Sequence, residues 1–102
     1  MLEEIFKKAF KDDNESELYL ANMNYEGNGI NKDFQKAFEW YEKAALQGNS
    51  EAQLRLATIC YEGNKVSKDF LKAFEWYEKA ALQSNNEAQL RLANMYYQTV
   101  LN

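Results

Sequence analysis

A chain of 102 residues is short enough to be one small domain, and its freedom from proline, four glycines, seven tyrosines, six phenylalanines and two tryptophans favour helices over turns, sandwiches or disorder. With no histidine and a single cysteine, Cys60, it holds no Ser-His-Asp or Cys-His arrangement, disulfide framework or zinc spacing, so a non-enzymatic protein without metal or cofactor is expected. Sixteen acidic against twelve basic residues, a net charge of -4, argue against nucleic-acid binding, which needs a basic stripe to displace counterions, and would attract a basic protein partner.

The N-terminus, MLEEIFKKAF, is acidic at once and has no basic n-region or unbroken apolar run. No later stretch is apolar for long enough to span a membrane, so the expectation is a soluble, cytoplasmic protein. In residues 2–11, Leu2, Ile5, Phe6, Ala9 and Phe10 form one helical stripe. The next helix is predicted to open on a capping box, Asn14 with Glu17, and to close at Gly27, where a left-handed cap suits glycine. Phe34, Ala37, Phe38, Tyr41, Ala44 and Ala45 then give a second, continuous apolar stripe.

From here the chain repeats itself. Residues 15–50 match residues 51–86 at 24 of 36 positions without a gap, and KAFEWYEKAALQ occurs identically at Lys36–Gln47 and Lys72–Gln83. A fixed period of this length marks stacked structural units, each too small to bury its own apolar face. The chain divides into a leading half-repeat helix (1–14), repeats 15–50 and 51–86, and a trailing half-repeat helix (87–102), with predicted capping boxes recurring at Ser50 with Gln53 and at Asn86 with Gln89. Six helices follow, alternating between a first type (A) and a second type (B). Trp40 and Trp76 lie beside the B stripe, where packing outweighs ligand stacking. Cys60 has no histidine or second cysteine to activate it. NKDF and SKDF lack the oxygen-ligand spacing of a calcium loop.

LANMNYEGNGINKDFQKAFEWYEKAALQGN resembles the Sel-1-like repeat, a relative of the tetratricopeptide repeat, through Leu20, Met23, Gly27, Gly29, Asp33, Lys36, Ala37, Trp40, Tyr41, Lys43, Ala44, Ala45 and Gly48. The resemblance implies an all-α fold, with antiparallel helix pairs stacked as a short right-handed α-solenoid, and an adaptor that holds another protein. The chain departs from the pattern at Asn24 and Cys60, where the family has Tyr, at Lys65 and Ser84, where it has Gly, and at Thr99, which replaces the helix-closing Gly.

The polar stripe of the A helices differs between copies: Glu15, Tyr19, Asn22 and Glu26, then Glu51, Arg55, Thr58 and Glu62, then Glu87, Arg91, Asn94 and Gln98. By the resemblance this stripe lines the concave groove, with Tyr25, Tyr61 and Tyr97 at its edge. The expected protein-binding residues are therefore Tyr19, Asn22, Tyr25, Glu26, Arg55, Thr58, Tyr61, Glu62, Arg91, Asn94, Tyr97 and Gln98. A plain solvated face explains the same stripe, since every amphipathic helix has one.

Two functions from different classes fit: an adaptor binding a peptide or protein surface through this groove, or a small acidic inhibitor or immunity protein that blocks a basic surface of a toxin, nuclease or CRISPR effector. At the C-terminal end, Leu90, Met95 and Tyr96 lack the helix that shields their counterparts, and YQTVLN has lost the closing glycine, so the last helix is expected to run on, with Val100 and Leu101 adding apolar surface. That end is expected either to fold back as a cap or to form a homodimer through the C-terminal helix.

Overall fold

The computed structural model describes residues 2–63 and 68–101, with Leu101 described in its backbone only. Lys65, the Leu101 side chain and Asn102 lie outside the described residues. The helices are α1 (Leu2–Phe10), α2 (Asn14–Glu26), α3 (Phe34–Leu46), α4 (Ser50–Glu62), α5 (Phe70–Leu82) and α6 (Asn86–Leu101), and no strand occurs among the described residues. Each packs on its chain neighbours, giving a body of 49 × 26 × 17 Å. This is a helical-repeat solenoid, with α2, α4 and α6 as A helices and α1, α3 and α5 as B helices.

The helix starts correct one expectation. The N-caps of the A helices are Asp13, Asn49 and Asn85, each one residue ahead of the predicted box: Asp13 accepts from the Ser16 amide at 3.2 Å, Asn49 from Ala52 at 2.9 Å and Asn85 from Ala88 at 2.9 Å. The third residue after each cap is thus Ser or Ala and has no carboxyl or amide to reach back, so no reciprocal box closes. Asp33 and Asp69 cap α3 and α5 in the same way, through the amides of Lys36 and Lys72 at 3.0 Å.

Displaced from capping, the residues at 17, 53 and 89 take another task. Gln53 donates to the Ala45 carbonyl and Gln89 to the Ala81 carbonyl, both at 3.1 Å. The final letter of the repeated phrase completes the joint, since Gln47 donates to Glu17 at 2.8 Å and Gln83 to Gln53 at 3.0 Å. Gln47 and Gln83 thus tie the end of each B helix to the A helix of its own repeat, and Gln53 and Gln89 tie it to the A helix of the next. Glu17 fits less well: it is 0% exposed and its Oε2 has no hydrogen-bond partner. Burial, reinforced by Asp12, opposed by Lys43 and reinforced again by Asp13, raises its pKa above the usual carboxylate range.

The expected ends of α2 and α4 hold: Gly27 and Gly63 are left-handed, and a Cβ on Gly63 would stand 2.6 Å from that of Lys68. Where α4 has Gly63, α6 has Thr99 and continues to Leu101, as the sequence led one to expect. The repeat-closing position is left-handed in every copy, at Asp12 (φ 64°), Gly48 (φ 96°) and Ser84 (φ 68°).

Two clusters form the core. One gathers Ala21, Ala37, Tyr41, Ala44, Ala45, Ala52, Leu56 and Ile59, and the other Leu54, Ala57, Cys60, Ala73, Tyr77, Ala80 and Ala88. Alanine at the contacts lets the helices approach closely, and tyrosine fills the space between them. Trp76 packs against both clusters, with the Lys79 ammonium 5.8 Å from its ring centre; Trp40 packs against the first, with Phe10 at 5.9 Å and Lys43 at 5.5 Å. Both tryptophans are packing residues with a solvated edge. The two positions where the family pattern has Tyr are also filled: Asn24 is buried and donates to the Leu20 carbonyl at 3.1 Å, and Cys60 is 3% exposed.

Candidate protein-binding groove

Two depressions related by the 36-residue period lie between successive A helices. The first, of about 270 Å³, is lined by Tyr25, Tyr41, Arg55, Thr58 and Ile59, with Glu51, Leu54, Glu87 and Arg91 around it. The second, of about 120 Å³, is lined by their equivalents one period on, Tyr61, Tyr77, Arg91, Asn94 and Met95, together with Gln98.

Each floor is a B-helix tyrosine whose buried ring brings a hydroxyl that must find a partner. The Tyr41 hydroxyl donates to Asn22, and the Tyr77 hydroxyl shares a 2.9 Å hydrogen bond with Thr58 Oγ1, which also donates to the Leu54 carbonyl at 2.9 Å. Burial pushes the Tyr41 pKa up to about 12 against the opposing charge of Arg55. It also raises that of Tyr77, against the hydrogen bond shared with Thr58 and the charge of Arg91. Both phenols are therefore neutral at ordinary pH, and neither serves as a base.

An arginine stands at the rim of each depression. Arg55 Nε meets Glu51 at 2.8 Å and Arg91 Nε meets Glu87 at 3.1 Å. The side chains of Arg55 and Arg91 remain 48% and 40% exposed, so these are solvated i,i+4 pairs that hold the guanidinium groups in place and are worth only about 0.3–0.5 kcal/mol each. The hydrogen bond Arg55 donates to Glu51 stabilises its charge; burial works against that on Arg91, but Tyr77 and Glu87 more than offset it.

Of the twelve residues expected from sequence, Tyr25, Arg55, Thr58, Tyr61, Arg91, Asn94 and Gln98 line these depressions. Asn22 serves the first from beneath, as the acceptor for Tyr41. Tyr25 and Tyr61 are also structural, each set edge-on against a B-helix phenylalanine, Phe34 and Phe70 respectively, at 5.4 Å. Tyr61 donates to Gln98 at 3.2 Å, which ties α4 to α6 across the second depression. Tyr19 is 53% exposed and lies outside both depressions. Glu26 accepts from Asn28 at 2.9 Å beyond the end of α2, and Glu62 is exposed. Tyr97, 64% exposed, belongs to a different surface.

Sequence reasoning assigned Tyr41 and Tyr77 to the packing stripe alone. Their hydroxyls were the available signal, because an otherwise Phe/Ala stripe gains nothing from a buried O–H unless something receives it. No group of three or more metal-ligating side chains occurs among the described residues, and no described helix is long and apolar enough to cross a membrane.

Comparison with solved structures finds the same architecture in a protective antigen present in uropathogenic Escherichia coli strains that displays an SLR fold (39% identity, TM-score 0.87, covering 93% of this chain and 20% of that one). A Sel1 repeat protein from Oxalobacter formigenes is similar at 39% identity and TM-score 0.85, over 88% of this chain and 68% of that one. Cysteine-rich protein B of Helicobacter pylori shares the fold at 24% identity and TM-score 0.80, over 85% of this chain and 65% of that one. The chain thus spans one fifth of the length of the E. coli antigen. No curated protein matches it in sequence. The Sel1 repeat model matches residues 14–49, 50–85 and 86–99, so the chain belongs to the Sel1 repeat family, whose members are generally non-catalytic scaffolds for protein–protein interaction.

Proposed function

We propose that the chain is a protein-binding module that lays a peptide or protein segment across the A-helix face, over both depressions. The observation that carries this reading is the recurrence, one period apart, of the same recess: an aromatic floor, a polar wall and a rim guanidinium. A segment crossing both recesses would meet the same chemistry twice. Tyrosine gives contact area at little entropic cost, and an arginine held by a neighbouring glutamate offers the rest of its donor fork to carbonyl or carboxylate acceptors. The module acts without metal, cofactor or catalytic step, on a protein rather than a nucleic acid or a membrane.

Blocking a basic surface draws less support from this face. Of the acidic residues on this face, the two that line the recesses, Glu51 and Glu87, are matched by Arg55 and Arg91, whereas Glu15, Glu26 and Glu62 line neither recess.

The test compares the chain with an Arg55→Ala, Arg91→Ala double variant in quantitative capture from the native host, followed by mass spectrometry. Loss of two hot-spot contacts should weaken capture by roughly 30-fold or more. Because both pairs are solvated, the variant should keep its stability to within about 1 kcal/mol. Undiminished capture would refute the groove reading, and capture of a single nuclease or toxin would transfer the function to the inhibitor class.

A further inference from the structure

Another recess, of about 360 Å³, shares no residue with the two on the A-helix face. Phe6 and Phe10 of α1 and Trp40 of α3 give it an aromatic wall: Phe6 and Phe10 stack at 6.2 Å, and Phe10 is tilted against Trp40 at 5.9 Å. Lys32 and Asp33, from the connection into α3, and Lys36, from the first turn of α3, line it as well. Both lysines are exposed, and neither ammonium has an ion pair among the described residues, whose two salt bridges are the Arg–Glu pairs of α4 and α6. The carboxylate at the recess, Asp33, already accepts from the Lys36 amide at 3.0 Å.

This recess does not arise from where the chain begins. Every residue lining it belongs to α1, α2, α3 or the α2–α3 connection. Phe10 is 73% exposed and Leu46, the same position one period on with helices before and after it, is 71% exposed. Phe6 and its equivalent Glu42 are alike half-buried. What sets the first copy apart is its chemistry. One period on, Trp76, Lys68 and Lys72 keep the types of Trp40, Lys32 and Lys36, but Glu42 and Leu46 replace Phe6 and Phe10, so a carboxylate stands where the first copy has a ring.

We infer that this recess is a second docking site, which takes an acidic segment of a partner protein: one bulky apolar side chain set against Phe6, Phe10 and Trp40, with carboxylates on either side of it meeting Lys32 and Lys36. Charge decides the class of occupant. The chain carries -4 overall, yet here two unpaired ammonium groups border an apolar wall, so an acidic segment is drawn to this spot and repelled by the rest of the surface. A basic segment would bring like charges together in a recess that excludes part of their water. An anionic bilayer is too flat to enter, and α1 and α3 would carry exposed Glu3, Glu4 and Glu39 toward it. Since the recess shares no residue with the A-helix face, an occupant here leaves Arg55 and Arg91 accessible, and one chain can join two partners.

The probe is the capped peptide Asp-Asp-Phe-Asp-Asp, titrated into the 102-residue chain by nuclear magnetic resonance. It should move the indole N–H signal of Trp40 and the amide signals of Lys32 and Lys36 saturably, and leave those of Arg55 and Arg91 in place. Lys-Lys-Phe-Lys-Lys and Asp-Asp-Ala-Asp-Asp should bind about tenfold more weakly or worse, as should the acidic peptide to a Lys32→Glu, Lys36→Glu variant, whose exposed positions let it keep the parent melting temperature. Phe6→Glu, which gives the first copy the residue of the second, should lose binding to the same degree, and Phe10→Ala, at an exposed position, repeats that arm should Phe6→Glu fail to fold. The Arg55→Ala, Arg91→Ala variant should bind the acidic peptide as the parent does, which separates this site from the groove. No movement at Trp40, equal binding of the basic peptide, or undiminished binding to the Lys32→Glu, Lys36→Glu variant overturns the inference. Flotation with phosphatidylglycerol vesicles that the same variant loses, without peptide binding, would overturn it in favour of a membrane surface.

Discussion

Glu17→Gln should stabilise the protein at neutral pH. In the next two copies the equivalent residues are Gln53 and Gln89, and each donates an amide hydrogen at 3.1 Å to the carbonyl eight residues earlier. For position 17 that acceptor is Ala9. A carboxylate cannot donate, which accounts for the partnerless Oε2 of a side chain with 0% exposure. Replacing it removes a buried unsatisfied oxygen, a cost of about 1–3 kcal/mol, and adds one ordinary hydrogen bond, while Oε1 still accepts from Gln47. Since about 1 kcal/mol moves the melting temperature of a domain this size by roughly 4–8 °C, the gain should be visible in a thermal melt. The pH dependence has a definite sign. Burial raises the folded-state pKa of Glu17, so the folded chain holds that proton more tightly than the unfolded chain. The resulting stability is fully present below the unfolded pKa and is lost as pH rises through the folded one. Melts of the two proteins should therefore lie close together near pH 4, where a protonated Glu17 can itself donate, and separate toward pH 7.5 with the variant higher. A variant no more stable at pH 7.5, or an advantage of equal size at both pH values, would refute this account.

Trp76→Ala should cost about 3 kcal/mol or more in denaturant unfolding, and more than Trp40→Ala, because Trp76 packs into both clusters and Trp40 into one. Ser84→Gly should raise stability by roughly 0.5–1 kcal/mol, since Ser84 sits at φ 68° in the position that Gly48 occupies one period earlier, and an unchanged melt would show that its backbone is unstrained. Cys60, 3% exposed and with its pKa raised chiefly by burial, should react with iodoacetamide at neutral pH only at the rate at which α4 opens. Rapid labelling of the folded protein would contradict that burial.

The fold was legible because the period is ungapped and the apolar spacing inside it is helical, so each element had two further copies to support it. Chain pattern was weaker at the joints. Asn14, Ser50 and Asn86 looked like caps because each precedes Glu or Gln by three residues, yet the residues that cap are Asp13, Asn49 and Asn85. Both runs offer a capping side chain; what decides is that Gln53 and Gln89 have a carbonyl of the preceding helix to reach, a tertiary contact that no local rule contains. At the groove, a polar stripe on α2, α4 and α6 identified the face but not its relief. Arg55 and Arg91 were legible as varying polar residues, whereas Tyr41 and Tyr77 were hidden by their membership of the apolar stripe. Tyr19 and Glu62 satisfied the same spacing as Arg55 and Thr58 yet lie outside the recesses, since helical spacing fixes direction around an axis and says nothing of where neighbouring helices leave room.

The differences between copies follow the same division. The B helices Phe34–Leu46 and Phe70–Leu82 differ only at Gln35 and Leu71, and both of these are exposed. Where the A helices face the recesses they diverge, from Asn22 to Thr58 to Asn94 and from Ile59 to Met95, though Asn22 and Thr58 each still provide an acceptor for the tyrosine hydroxyl beneath. Substitution is thus tolerated at the recess wall only so far as the floor keeps its hydrogen bond. A wall residue unable to accept, as in Thr58→Val, would leave the Tyr77 hydroxyl wanting a partner below the second recess and should cost about 1–3 kcal/mol, more than removing either exposed Arg–Glu pair. If Thr58→Val proved as mild in a thermal melt as Arg55→Ala, the floor would not constrain the wall, and the variation between copies would need another cause.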